Sequence, residues 1–172
     1  MQKTVLVTGC SSGIGLESAL DLTRQGFRVL AACRKAEDVA RMQDLGLTGI
    51  LLDLDDPQSV ERAAAEVIAL TDNRLYGLFN NAGYGVYGPL NTISRQQMEQ
   101  QFSANFSARI RLTMLLPGRR APHGEGRIVM TSSVMGLSPV PAAEPMPPVN
   151  MPSRHGPTRC AWSCATAVFR SA

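Results

Sequence analysis

Five short apolar, β-branched runs alternate with helical patterns along most of this chain, and that alternation leaves few folds open. Thr4-Val5-Leu6-Val7-Thr8 is a continuous run closed by Gly9, as expected of a strand buried on both faces. From Ile14 to about Gln25, residues Ile14, Leu16, Ala19, Leu20 and Leu22 gather on one side of a helix that Gly26 stops. Phe27 to Ala32 reads as a second strand, Ala36 to Leu45 as a helix, and Gly49 to Leu54 as a third strand. Pro57 starts a helix through Val60, Ala64, Val67 and Ile68, and Leu75 to Asn80 forms the fourth strand. A longer helix spans about Ser94 to Leu116; after a loop through Pro122 and Gly124, Arg127 to Thr131 makes the fifth strand. Parallel neighbours need crossover connections, and those are right-handed helices almost without exception. The pattern therefore specifies an α/β, doubly wound parallel sheet with helices on both faces.

Between the first strand and its helix stands Thr8-Gly9-Cys10-Ser11-Ser12-Gly13-Ile14-Gly15, a turn with the spacing Gly-x-x-x-Gly-x-Gly. Gly9 allows the tight turn, Gly13 lets backbone amides approach a pyrophosphate, and Gly15 permits close helix packing, while the helix N-terminus supplies partial positive charge. A strand, this glycine spacing and a helix in succession mark a Rossmann-type dinucleotide site. No Gly-Lys-Ser/Thr follows, which disfavours a nucleoside triphosphate loop.

Composition narrows the class further. The net charge of +3 is small and its basic residues are scattered, so nucleic acid is not an expected partner. No apolar run approaches the roughly 20 residues of a membrane span, and the first strand begins too early for a signal peptide, so a cytoplasmic, soluble location is expected. Cys10 and Cys33 lack zinc or redox spacing and read as small, partly buried thiols. About 20 residues past such a glycine turn, NAD-binding chains place an acid on the adenosine ribose. Here that place holds Cys33-Arg34-Lys35. A guanidinium there can pair with a 2′-phosphate, so NADP(H) is expected in preference to NAD(H).

Asn80-Asn81-Ala82-Gly83 at the end of the fourth strand, Asn105 in the long helix and Ser132-Ser133 after the fifth strand complete a recognisable set. Together with the glycine turn they resemble the short-chain dehydrogenase/reductase family over nearly all of residues 1–137. The resemblance implies hydride transfer between NADP(H) and a small-molecule alcohol or carbonyl substrate. It places Gly9, Ser11, Ser12, Gly13, Ile14 and Gly15 at the cofactor, with Arg34 at the 2′-phosphate, Asp53 and Leu54 bordering the adenine, and Asn81, Ala82 and Gly83 lining the ribose. Asn105 and Ser133 would be catalytic, and no metal is implied. Family members commonly form homo-oligomers through the long helix and the helix that follows the fifth strand.

In that family a serine holds the substrate carbonyl while a tyrosine exchanges the proton, and a lysine lowers the tyrosine pKa. A tyrosine near its free pKa of about 10 is a poor base at neutral pH until a cation stabilises the phenolate. The two must come as Tyr-x-x-x-Lys on one helix face. This chain lacks the pair: its lysines are Lys3 and Lys35, and its tyrosines Tyr76, Tyr84 and Tyr87 all precede Ser133. Tyr84 and Tyr87 are expected to line a substrate-side loop or to pack there.

Residues 138–172 have no apolar period and contain seven of the eleven prolines, with Glu144 as their single acid. Codons compatible with Pro141 to Pro152, read two nucleotides later, permit Gly-Arg-Gly-Ala-Tyr-Ala-Ala-Ser-Lys-Tyr-Ala, which contains Tyr-x-x-x-Lys. Gly156 to Phe169 likewise permits an amphipathic helical continuation in that frame. The expected organisation is therefore a dinucleotide-binding domain over 1–137, truncated after its fifth strand, and a disordered, out-of-frame tail over 138–172; a naturally divergent, proline-rich extension is the rival reading of that tail. His155, Cys160 and Cys164 have no zinc spacing and belong to that tail. An inactive fragment with doubtful oligomerisation is the leading expectation; a non-catalytic dinucleotide-binding or regulatory protein is the alternative.

Overall fold

The computed structural model describes residues 2–88, 90–116 and 126–133. The strands are β1 (Thr4–Thr8), β2 (Arg28–Cys33), β3 (Thr48–Leu51), β4 (Gly77–Asn80) and β5 (Arg127–Met130). The helices are α1 (Gly13–Arg24), α2 (Ala36–Asp44), α3 (Pro57–Thr71), α4 (Arg95–Phe102) and α5 (Arg109–Leu115), with a 3-10 turn at Leu90–Thr92. The 138–172 segment and the Pro122–Gly124 loop lie outside the described residues.

All pairings are parallel, in the order β3-β2-β1-β4-β5. From β1 the chain winds outward through β2 and β3, then α3 carries it back across the sheet to β4 on the other side of β1. The reversal leaves a crevice outside the carboxyl ends of β1 and β4, where open α/β sheets bind ligands.

Alternation along the strands builds two core layers. Leu6, Leu30, Ile50 and Leu78 pack with Val60, Ala64 and Val67 of α3 and Leu112 of α5. Val5, Val7, Val29, Ala31 and Cys33 face the opposite way, against Ala19 of α1 and Met42 of α2. Each fully buried Leu or Ile side chain contributes about 1.5–3 kcal/mol of hydrophobic stabilisation.

Three expectations are corrected by the structure. β3 ends at Leu51 rather than Leu54, because the Asp53 carboxylate accepts the Asp55 amide at 3.0 Å and turns the chain. Ile14 leaves the apolar stripe of α1: it is 66 % exposed, since the first turn of α1 faces the crevice instead of the sheet. The long helix is not uniformly α-helical, for Ser103–Ala108 between α4 and α5 adopts π geometry. Such wide turns are rare and occur frequently at functional sites; this one contains Asn105.

Candidate cofactor site

At the crevice lies a cleft of about 470 Å³, lined from the glycine turn by Gly9, Ser11, Ser12 and Ile14. Arg34 closes it after β2, Asp53, Leu54 and Asp55 after β3, and Asn81, Ala82 and Gly83 after β4. Ten of the sequence-assigned cofactor residues thus converge on one space, although they come from four separate loops.

The remaining two, Gly13 and Gly15, shape the cleft from behind its wall. Gly13 opens α1 at φ 57°, a conformation that L side chains resist. A Cβ on Gly15 would lie 2.2 Å from the Gly9 carbonyl oxygen and 2.7 Å from Asn81 Nδ2, so the helix can approach the turn this closely only as glycine.

The N-terminus of α1 is also prepared electrostatically. Asp56 caps α3 and a reciprocal Ser94/Gln97 box caps α4, while α2 carries Glu37 and Asp38 in its first turn. By contrast α1 has neither a side-chain cap from Ser12 nor an acid in its first turn. Its leading N–H groups and positive dipole end therefore face the cleft unneutralised, which suits a pyrophosphate.

Thr8, which the sequence reading treated only as a strand end, organises the β4 loop. Its buried Oγ1 accepts the amides of Asn81 at 3.0 Å and Ala82 at 2.9 Å. Asn81 extends the link through its own amide: Nδ2 donates to the Thr8 carbonyl at 3.1 Å, and Oδ1 accepts Thr131 Oγ1 at 3.2 Å. The ends of β1, β4 and β5 are thereby tied together by three side chains, Thr8, Asn81 and Thr131.

Arg109 adds a buried cation that sequence reasoning also missed. It is 7 % exposed and donates to the carbonyls of Ala82 at 2.6 Å, Thr131 at 3.2 Å and Asn81 at 3.5 Å. Burial pulls its pKa down to about 10, which leaves it charged at neutral pH. Its Nη2 would lie 2.2 Å from a Cβ on Gly83, so this glycine is demanded by the guanidinium above it.

The assigned catalytic residues are positioned differently. Asn105 does not line the cleft: both ends of its amide engage the Tyr84 backbone, Nδ2 donating to the carbonyl at 2.6 Å and Oδ1 accepting the N–H at 3.0 Å. Ser133 is half-buried, just beyond the end of β5. Tyr84 lines the same cleft, and its hydroxyl lies 3.4 Å from Asp55 Oδ1. Burial and the nearby Asp55 raise its pKa above the ordinary tyrosine value, the wrong direction for a general base. Tyr87 is 81 % exposed. Among the described residues no helix is long and apolar enough to cross a membrane.

A doubly wound parallel sheet with a glycine-lined, uncapped helix end at its switch point defines a dinucleotide-binding α/β protein. The short chain dehydrogenase family profile matches residues 3–145. The chain is 72% identical over 141 residues to the uncharacterized oxidoreductase YbbO of Escherichia coli K12, covering 82% of this chain and 52% of that protein. Human retinol dehydrogenase 5 is 40% identical over 138 residues, covering 77% and 43% respectively. Among solved structures, actinorhodin polyketide ketoreductase with NADPH superposes with a TM-score of 0.73 at 28% identity, covering 83% of this chain and 57% of that one. A Burkholderia cenocepacia short chain dehydrogenase in complex with NADP gives 0.70 at 31% identity, covering 82% and 59%. The chain belongs to the short chain dehydrogenase family of oxidoreductases, and it spans about half the length of the curated relatives it matches.

Proposed function

We propose that this chain carries the cofactor-binding half of an NADP(H)-dependent oxidoreductase for an alcohol or carbonyl substrate, and that as written it does not complete the reaction. The observation that supports this most directly is the cleft itself. It joins an uncapped helix N-terminus to Arg34, which forms no ion pair among the described residues, while the sequence contains no Tyr-x-x-x-Lys pair.

In this reading the first-turn amides of α1 bind the pyrophosphate, Arg34 takes the 2′-phosphate, and Asp53 with Leu54 borders the adenine. Asn81, Ala82 and Gly83 hold the ribose side, where Thr8 and Arg109 fix their backbone. The bound dinucleotide would supply or accept the hydride. Ser133 would hold the substrate oxygen, and Asn105 would order the Tyr84 segment beside it. The proton still needs a donor. Tyr84, with its raised pKa and its hydroxyl near Asp55, does not replace the absent tyrosine.

A frame slip near Leu137-Ser138 would account for that absence, and the test follows from it. The gene is sequenced across those codons, and the 172-residue chain is assayed beside a version returned to the shifted frame. The expected result is NADPH-dependent carbonyl reduction only in the restored chain. Codons unable to encode tyrosine and lysine in that frame, or turnover by the 172-residue chain itself, would refute the proposal. Binding of NADPH without turnover in both would favour the regulatory alternative.

A further inference from the structure

Helix α2 brings a second guanidinium to the wall of the cleft, at Ser11. Arg41, in the last turn of α2, donates from Nη2 to the carbonyl of Ser11, and Ser11 shares the cleft wall with Arg34. The same nitrogen lies 3.1 Å from Asp38 Oδ1, one helical turn earlier. Both side chains bear on the end of β2, where burial is the main cause that raises the Cys33 pKa, the Asp38 charge adds to it and the Arg41 charge opposes it. Lys35 pairs outward with Glu37 at 3.3 Å, the lysine 62 % and the glutamate 75 % exposed. Arg34 therefore lines the cleft, while Arg41 stands behind its wall, on the carbonyl of Ser11.

In this arrangement the half-exposed Arg41 is served by a neutral carbonyl and by one largely buried carboxylate. A phosphate dianion is a stronger acceptor than a carbonyl, since charge-assisted hydrogen bonds are about twice as strong as neutral ones and an arginine fork can meet two phosphate oxygens at once. The Ser11 carbonyl places the fork beside the space that such a phosphate would enter. Asp38 would oppose the same phosphate by like-charge repulsion.

We propose that Arg41 is a second 2′-phosphate ligand, acting with Arg34 across the Ser11 wall, and that Asp38 is the anion it exchanges for the cofactor. The inference rests on the NADP(H) reading above. It differs from a mere tether of the glycine turn in how two substitutions combine. If Arg41 only holds the Ser11 carbonyl, removing the Asp38 charge leaves at most the relief of like-charge repulsion, which persists when Arg41 is replaced. If Arg41 binds the phosphate, removing that charge frees the guanidinium and tightens NADPH alone.

The 172-residue chain is titrated with NADPH and NADH by nicotinamide fluorescence, and with 2′,5′-ADP and 5′-AMP by calorimetry. Arg41→Gln is expected to weaken NADPH and 2′,5′-ADP by about tenfold while NADH and 5′-AMP change by less than about twofold. Arg41→Lys, which keeps the charge without the fork, should fall between wild type and Arg41→Gln. Asp38→Asn is expected to tighten NADPH a few-fold, an outcome that a folding defect cannot imitate, and the gain is expected to vanish in the Arg41→Gln background. A gain that persists there is relief of repulsion alone and would overturn the role of Arg41. Equal weakening of both dinucleotides by Arg41→Gln, no change in either, or weaker NADPH binding in Asp38→Asn would overturn the role of Arg41 and leave the NADP(H) reading intact. A wild-type chain that binds NADPH no more tightly than NADH, or binds neither, would overturn both.

Discussion

Replacing Thr8 by valine keeps the shape of a fully buried side chain and deletes one oxygen, so it isolates what that oxygen does for the cleft. Two backbone amides, Asn81 at 3.0 Å and Ala82 at 2.9 Å, lose their acceptor together. Leaving a buried donor unsatisfied costs about 1–3 kcal/mol. Ala82 borders the cleft, so water can relieve part of its loss, and the Oγ1 contact to the Phe79 carbonyl at 3.4 Å is long enough to add little. The expected destabilisation is about 2–4 kcal/mol. For a domain of this size about 1 kcal/mol lowers Tm by roughly 3–5 °C, so the midpoint should fall by roughly 10 °C. Thr8→Ser retains the oxygen and deletes one methyl group, for about 1 kcal/mol. Urea unfolding followed by circular dichroism compares the three chains directly. A valine variant within about 0.5 kcal/mol of wild type, or a serine variant as unstable as the valine one, would refute the hydrogen-bond argument.

Two further perturbations test the turn and the buried thiols. Gly15→Ala forces a Cβ to within 2.2 Å of the Gly9 carbonyl, so overpacking of about 1–3 kcal/mol and loss of NADPH-induced thermal stabilisation are expected in a melting assay. Cys10 and Cys33 are held protonated by burial, their pKa values pushed up to about 12 and about 11 from an ordinary 9.0. Because the unfolded thiols release protons first, stability should fall as pH rises from about 9 through about 11 for Cys33 and about 12 for Cys10, by roughly 1 kcal/mol per thiol at pH 10. Cys10→Ala should remove about half of that slope.

What the sequence revealed was whatever sterics or burial forces locally. Strands buried on both faces must be apolar throughout, so β1 and β2 were visible as runs, and Gly15 was visible because nothing larger fits between the turn and Asn81. The end of β3 was not, since Leu52 and Leu54 continue the apolar run into a turn that the Asp53 side chain makes; both leucines are buried there without being strand residues. The π segment was hidden for a related reason. Ala104, Ala108 and Leu112 recur every four residues and all reach the core, so the apolar spacing looks helical whichever hydrogen bonds the backbone forms. Thr8 and Arg109 carry no local signal at all. Their partners are backbone groups, 73 and 74 positions away for the Thr8 hydroxyl and 22 to 28 away for Arg109, and a carbonyl or amide is present at almost every residue.

Holding a dinucleotide and transferring a proton are separable along this chain. The groups assigned to the cofactor stand at the carboxyl ends of β1 through β4, and they are braced by β5 through Thr131. Fixed amides and glycines suffice for that work, because a pyrophosphate needs donors and space but no titrating partner. A proton donor must instead exchange at a pH near its own pKa. The thiols and the phenol whose ionisation the fold visibly shifts here, Cys10, Cys33 and Tyr84, are all moved upward, away from neutrality. Arg109 cannot stand in as the phenolate-stabilising cation for Tyr84, since its guanidinium is committed to three carbonyls while the phenol reaches toward Asp55. In the proposed reading, a Tyr-x-x-x-Lys pair would instead come from residues after Ser133. That is the position at which the shifted frame would restore it.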